Sequence, residues 1–165
     1  MSLVVIAHNI RSTHNVGSIF RTCEGFGVDK LILSGYTPYP RFNGDQRLPH
    51  IVNKLTAQIE KTALGATKLV TFEHVDDIVA AIAAMKKTDW RIVALEQADR
   101  SIRLDGYKPY QKTCLLLGEE VHGVTDELLS LVDDIIEIPM KGQKESFNVS
   151  VATGIALYAL TTKLL

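Results

Sequence analysis

Two adjacent carboxylates follow an apolar run that ends on glycine, in the stretch Cys114-Leu115-Leu116-Leu117-Gly118-Glu119-Glu120-Val121-His122-Gly123. Glycine at a strand end lets the backbone approach a ligand closely, and open α/β sheets bind ligands at that edge. Neighbouring carboxylates resist sharing one pocket, so one of the pair is expected to face solvent. A second polar segment runs from Asn9 to Thr22, with Asn15, Ser18 and Arg21 recurring every three residues beside the apolar stripe Val16, Ile19, Phe20 and Cys23. That spacing puts them on one helix face. An arginine so placed can grip a phosphate or polarise a hydroxyl, and it serves equally well as a surface ion-pair partner. A third segment, from Ile136 to Ser150, joins a strand to the last helix and brings Ser146 and Asn148 to that helix's N-terminus. Free N–H groups there offer polar contacts to a ligand. Ser146 reads as the N-cap, and Asn148 as a first-turn residue in a place that asparagine does not favour.

Other chemistries are excluded by what is missing. Gly25-Phe26-Gly27 lacks the third glycine of a dinucleotide cradle and follows a helix rather than a strand, and no phosphate-loop lysine motif or Gly-x-Ser-x-Gly elbow occurs. Cys23 and Cys114 form no metal-ligand cluster, so neither a zinc site nor a disulfide framework is indicated.

The elements that must position these segments alternate between short apolar runs and stretches of helical period, the pattern of a parallel sheet covered by helices. Strands are expected at residues 3–7, 30–34, 68–72, 91–96, 113–117 and 134–138. Helices are expected over 16–23, over 75–85, and from Ser146 to Leu164. Residues 35–49 hold Pro38, Pro40 and Pro49 among Tyr36, Tyr39, Arg41, Phe42 and Arg47, which is too proline-rich for regular structure. Arginine with aromatics suits single-stranded RNA, and it also suits a subunit contact or plain packing.

With 165 residues, 46% hydrophobic and 22% charged, the chain is read as one soluble domain over 1–165, with no membrane span and a reducing cytoplasmic setting. The net charge of −1 hides a gradient. Up to Lys54 the cations Arg11, Arg21, Lys30, Arg41, Arg47 and Lys54 outnumber Glu24, Asp29 and Asp45, whereas no Lys or Arg interrupts the acidic residues from Glu119 to Glu137.

Together the three polar segments resemble motifs one, two and three of the SpoU, or TrmH-like, branch of the SPOUT methyltransferases. The resemblance rests on Asn15-Val16-Gly17 with Arg21-Thr22, on Gly118 with Glu120 and Gly123, and on Ile138-Pro139-Met140 through Gly142 to Ser146-Phe147-Asn148-Val149-Ser150. Lys61-Thr62-Ala63-Leu64-Gly65-Ala66 adds to it, and the match spans nearly the whole chain.

The resemblance implies an α/β knot, a mostly parallel sheet flanked by helices with a C-terminal trefoil knot. It implies methylation of a ribose 2′-hydroxyl in RNA by S-adenosylmethionine, without a metal. The cofactor would be held near Leu95, Glu96, Leu117, Gly118, Ile138 and Met140, with Ser146 and Phe147 closing the pocket. Arg21 would act on the hydroxyl, reaching across a homodimer to the partner's cofactor, while Asn15, Glu120, Ser146 and Asn148 order the reacting groups. No N-terminal RNA-binding module is apparent in the sequence, which leans the substrate toward tRNA. A ribosomal RNA substrate and a non-catalytic RNA-binding protein of the same fold are the alternatives. Two positions depart from the family pattern: Phe147 where leucine is usual, and Glu119 where a small polar residue is commoner. A flavodoxin-like domain shares the alternating pattern but needs an early phosphate loop or acidic pocket, and neither is present.

Overall fold

Alternation within the apolar strands decides the architecture. In β1 (Ser2–His8), Leu3, Val5 and Ala7 enter one buried cluster while Val4 and Ile6 enter another, because successive side chains of a strand point to opposite faces. The computed structural model describes residues 2–162, and in it every strand pairs in parallel. Following β1 come α1 (Thr13–Gly25), β2 (Lys30–Ser34), α2 (Pro49–Ala63), β3 (Phe72–Val75), α3 (Ile78–Lys86) and β4 (Arg91–Leu95). Then follow β5 (Ile102–Arg103), β6 (Lys112–Leu117), α4 (Asp126–Leu131), β7 (Asp134–Glu137) and α5 (Val149–Thr162). The sheet order is β3-β2-β1-β6-β4-β7-β5.

Helices cover both faces, as a parallel sheet requires. On one side Ile19 and Phe20 of α1, Ile59 of α2 and Leu157 of α5 pack on Val5, Leu33 and Leu115. On the other, Ile82 of α3 and Leu128 of α4 pack on Ile6, Ile92 and Leu116. Because all strands run the same way, β1, β2, β4, β6 and β7 deliver their carboxyl ends to a single edge.

Several expected elements are displaced, each for a local reason. The third strand occupies Phe72–Val75 rather than 68–72, because Ala66–Lys68 forms a short 3-10 turn and Leu69 is exposed. Val75 therefore belongs to that strand, and α3 starts at Ile78 with Asp77 as its cap. The strand expected to reach Ile138 stops at Glu137. The last helix begins at Val149 and not at Ser146. Its N-cap is Asn148, whose carbonyl accepts from the Ala152 N–H at 2.9 Å and whose side-chain oxygen accepts from the Ser150 N–H at 2.9 Å. The expected helix end at Leu164 lies outside the described residues. Helices α2 and α4 and the two-residue β5 carry no sequence expectation.

Candidate active site

At the shared strand edge, Gly118 follows β6 and packs directly against the returning chain. A Cβ on Gly118 would lie 2.3 Å from the Gly123 carbonyl carbon, so only glycine admits that approach. Between them Glu119 and Gly123 exchange backbone hydrogen bonds of 3.1 and 2.9 Å, which closes the loop into a tight turn. The carboxylate of Glu96, just after β4, fixes this turn by accepting from the Val124 N–H at 2.7 Å and from the Gln97 N–H at 2.8 Å.

Glu120 does the same for the entry of α1. One of its oxygens accepts from the Ser12 N–H at 3.1 Å and the Asn15 side-chain amide at 3.0 Å, and the other from the Arg11 N–H at 3.0 Å. Burial pushes this carboxyl up, but the N–H donors of Arg11, Asn15 and Ser12 outweigh it and hold Glu120 below the ordinary carboxylate range. Asn15 passes the link on, accepting from the Asn148 amide at 3.2 Å. Asn148 in turn accepts from the Ser150 hydroxyl at 2.7 Å. A continuous chain of hydrogen bonds thus joins the three polar segments, which lie more than a hundred residues apart in part.

Beside this chain opens a cavity of about 460 Å³, within the size range of small-molecule sites. Leu95, Leu117, Ile138, Phe147, Val149 and Ala152 supply apolar lining, and Glu96, Glu119, Glu120, Glu137 and Glu145 supply carboxylates. Among the described residues, no lysine or arginine lines it. Such a pocket repels a phosphate-bearing cofactor and suits one with an apolar ring and a positive centre. The sulfonium and purine of S-adenosylmethionine fit that description.

Most of the expected site residues meet here. Leu95, Glu96, Leu117, Gly118, Ile138, Ser146 and Phe147 line the cavity, as do Glu120 and Asn148, and Asn15 bonds both of the last two. Met140 is half-buried outside the lining. Arg21 is exposed on α1 and also lies outside the lining. Ser146 is exposed and does not cap α5, so its expected helix-end role falls to Asn148.

Neither neighbouring glutamate faces bulk solvent. Glu119, with 18% of its side chain exposed, accepts from the Tyr36 hydroxyl at 3.0 Å and lies 3.9 Å from the Arg11 guanidinium. Sequence reasoning did not single out Arg11, gave Tyr36 only as one of several loop aromatics, and did not foresee the carboxylate of Glu96 clamping a loop. The proline-rich loop also differs from expectation in detail. Arg47 is consumed internally, donating to Asp45, the Tyr39 carbonyl and the Pro40 carbonyl, and it holds the Asp45 carboxyl down to about 2. Arg41 donates to Asn53 at 2.6 Å. These two cations brace the loop.

The SpoU rRNA Methylase family model matches residues 2–158. A curated relative, the tRNA (guanosine(18)-2'-O)-methyltransferase of Aquifex aeolicus (strain VF5), is 35% identical over 156 residues, covering 94% of this chain and 67% of its own length. Other curated relatives of that name are longer, and the chain spans 61% of one and 10% of another. The solved TrmH/SpoU tRNA modifying enzyme of A. aeolicus superposes with a TM-score of 0.80 at 31% identity, covering 98% of this chain and 75% of that one. The SpoU methyltransferase AviRb of Streptomyces viridochromogenes, in complex with the cofactor AdoMet, shares the fold with a TM-score of 0.79 at 21% identity, covering 99% and 58%. With its three motifs joined at one sheet edge and its length matched almost end to end, the chain belongs to the SpoU methylase family.

Proposed function

We propose that this protein methylates a ribose 2′-hydroxyl in RNA with S-adenosylmethionine as donor, and that the RNA is a tRNA rather than a ribosomal RNA. The observation that carries the reading is the cavity at the convergent strand ends: lined, among the described residues, by five glutamates and no lysine or arginine, it suits a sulfonium. The cofactor supplies an electrophilic methyl group. The chain's own part is to hold the donor between the β4, β6 and β7 ends, exclude water with Phe147, and orient the acceptor hydroxyl. Curated relatives named as tRNA methyltransferases favour tRNA.

A ribose hydroxyl is a weak acid and must lose its proton as the bond to carbon forms. Arg21 polarises that hydroxyl or accepts its proton, while Glu120, Asn15 and Asn148 hold the loops in register. Ser146 contributes from the rim of the cavity. Arg21 comes from the second subunit of a homodimer. Two features support this. Arg21 is exposed next to Thr22, whose methyl lies against Gly154 of α5. On the same α5 the side chains Val151, Ile155 and Tyr158 form an exposed apolar stripe suited to a partner helix. A C-terminal trefoil knot agrees with the sheet order, in which β4 lies between β6 and β7, and with the return of α5 to α1. No described helix is long and apolar enough to cross a membrane, and a cytoplasmic setting suits an RNA substrate.

Incubation with methyl-labelled cofactor and total RNA, followed by alkaline hydrolysis, tests the function. Label retained in alkali-resistant dinucleotides of tRNA is the expected result. Label in base-methylated mononucleotides, or none in any RNA, overturns it.

A further inference from the structure

Tyr36 is an exposed aromatic mounted on a rigid turn. Its backbone N–H donates to Asn9 Oδ1 at 3.2 Å. Asn9 itself sits at φ 56, and Gly35 at φ 62, where a Cβ would lie 1.9 Å from the same Asn9 oxygen. Glycine and asparagine are the residues that take this left-handed backbone readily, and the close approach to Asn9 leaves no room for a side chain at position 35. Behind the turn Thr37 is buried, its hydroxyl donating to the Ala7 carbonyl at 2.9 Å and accepting from the Ile10 N–H at 3.0 Å. The turn is therefore tied to the β1–α1 connection on both sides, while the Tyr36 residue remains 54% exposed. A ring presented this way makes contacts at little entropic cost.

The ring borders an open groove of about 690 Å³, to which Arg11, Tyr39, Gln58 and His74 also contribute. Its base is braced by a stack in which Tyr39 lies 4.2 Å from His74 and the Arg47 guanidinium lies 3.6 Å from the Tyr39 ring centre. Arg11 is different from Arg47. Its side chain is 59% exposed, and among the described residues its guanidinium has no partner closer than Glu119 at 3.9 Å. Glu119 lines the neighbouring cavity and accepts the Tyr36 hydroxyl, so one hydrogen bond links a residue of the groove to a residue of the cavity.

We propose that this groove holds the RNA strand beside the methylated residue, with an unstacked base on the Tyr36 ring and the adjoining phosphate on Arg11. Glu119 is a positioning residue that gathers the two contact groups. The inference rests on the RNA-methylation reading. A π-face beside an exposed guanidinium, held only at 3.9 Å by one carboxylate, matches single-stranded RNA, whose bases stack on aromatics while its phosphates take cations. Because Glu119 lines the cavity and contacts both Tyr36 and Arg11, a strand held by those two side chains runs beside the donor site.

The test is binding of a fluorescently labelled single-stranded oligoribonucleotide of roughly ten residues to cofactor-free protein, followed by fluorescence anisotropy. Tyr36→Ala is expected to weaken binding by about 5- to 100-fold, and Tyr36→Phe to recover most of that loss. Arg11→Gln is expected to weaken binding and to lower the salt dependence by about one unit of slope. In methyl-transfer assays the larger part of the Tyr36→Ala defect falls in KM for RNA, with cofactor affinity unchanged. Wild-type RNA affinity in Tyr36→Ala overturns the proposal. So does a shift in oligomeric state with RNA binding intact, which assigns the groove to a subunit contact. Oligonucleotide binding that depends on Tyr36 in a protein that transfers no methyl group sinks the enzymatic reading and leaves the groove standing.

Discussion

Charge is handled in opposite ways at the two edges of the sheet. At the amino edge, Arg91 makes paired hydrogen bonds of 2.8 Å to both oxygens of Asp134, Tyr107 donates to the same carboxylate at 2.8 Å, and Lys86 meets Asp133 at 3.0 Å. At the carboxyl edge, Glu96 and Glu120 accept from backbone N–H groups of Val124, Gln97, Arg11 and Ser12. Cation against carboxylate closes one edge into a staple. Carboxylate against loop N–H groups shapes the other edge without filling it and leaves its negative charge facing a cavity.

The largest effect is expected at Arg21, which is exposed on α1 and lies outside the cavity lining. Replacing it with alanine is expected to cut methyl transfer by about 10²- to 10⁴-fold while the cofactor dissociation constant stays within error, measured by single-turnover kinetics and calorimetry. Transfer at the wild-type rate removes Arg21 from the mechanism. Gly123→Ala comes next, because Gly123 has φ +65 and an added Cβ would meet Glu96 Oε2 at 1.9 Å. Strain of about 1–3 kcal/mol in the loop that floors the cavity should weaken cofactor binding by about 5- to 150-fold. Unchanged affinity means the turn is not part of the cofactor site.

Glu120→Gln keeps the shape but gives a side chain that cannot accept as many N–H bonds. A loss of about 1–3 kcal/mol in the ordering of the α1 entry should appear as reduced kcat, with thermal stability affected less than activity. The wild type carries a pH signature of the same contact. The Glu120 carboxyl is held below its unfolded value, so the ordering is present above that value and is withdrawn as pH falls through the folded one. The acid limb of activity in the wild type, measured with stability monitored in parallel, should therefore start below the ordinary glutamate range.

Asp134→Asn has the smallest expected effect on chemistry and acts on the other edge. Its pairing with Arg91 holds Asp134 below the ordinary range, so its stabilisation exists above the unfolded value and fades as pH drops through the folded one. The variant should melt about 3–8 °C lower near neutral pH, with the gap narrowing in acid, and keep its activity below the melting range. An activity loss that precedes melting would erase the distinction between the edges.

Much of this arrangement can be read from residue order. The apolar runs at Leu3 to Ala7, Lys30 to Ser34 and Thr113 to Leu117 gave their strands because each is buried on both faces. Helix α2 escaped notice because its buried positions, Val52, Ile59 and Ala63, are sparse on an otherwise polar helix, although Pro49 sits at its first turn where proline favours helix starts. The acidic stretch from Glu119 to Glu137 looked like one negative surface. In fact Asp126 and Glu127 sit in the first turn of α4, Asp133 and Asp134 pair with cations, and Glu120 binds N–H groups. Partner choice across the sheet depends on which strands become neighbours, and β4 beside β6 and β7 is a tertiary fact that local pattern does not carry. Met140 illustrates the same limit, since its motif position was legible but its place outside the cavity lining was not.

The most direct measurement is a crystal structure of the protein soaked with S-adenosylhomocysteine, the demethylated product. The account predicts purine density against Leu117, Ile138 and Phe147, with the sulfur at the convergent ends of β4, β6 and β7. Product bound at the Tyr36 groove or elsewhere, with the glutamate-lined cavity filled only by water, would contradict it.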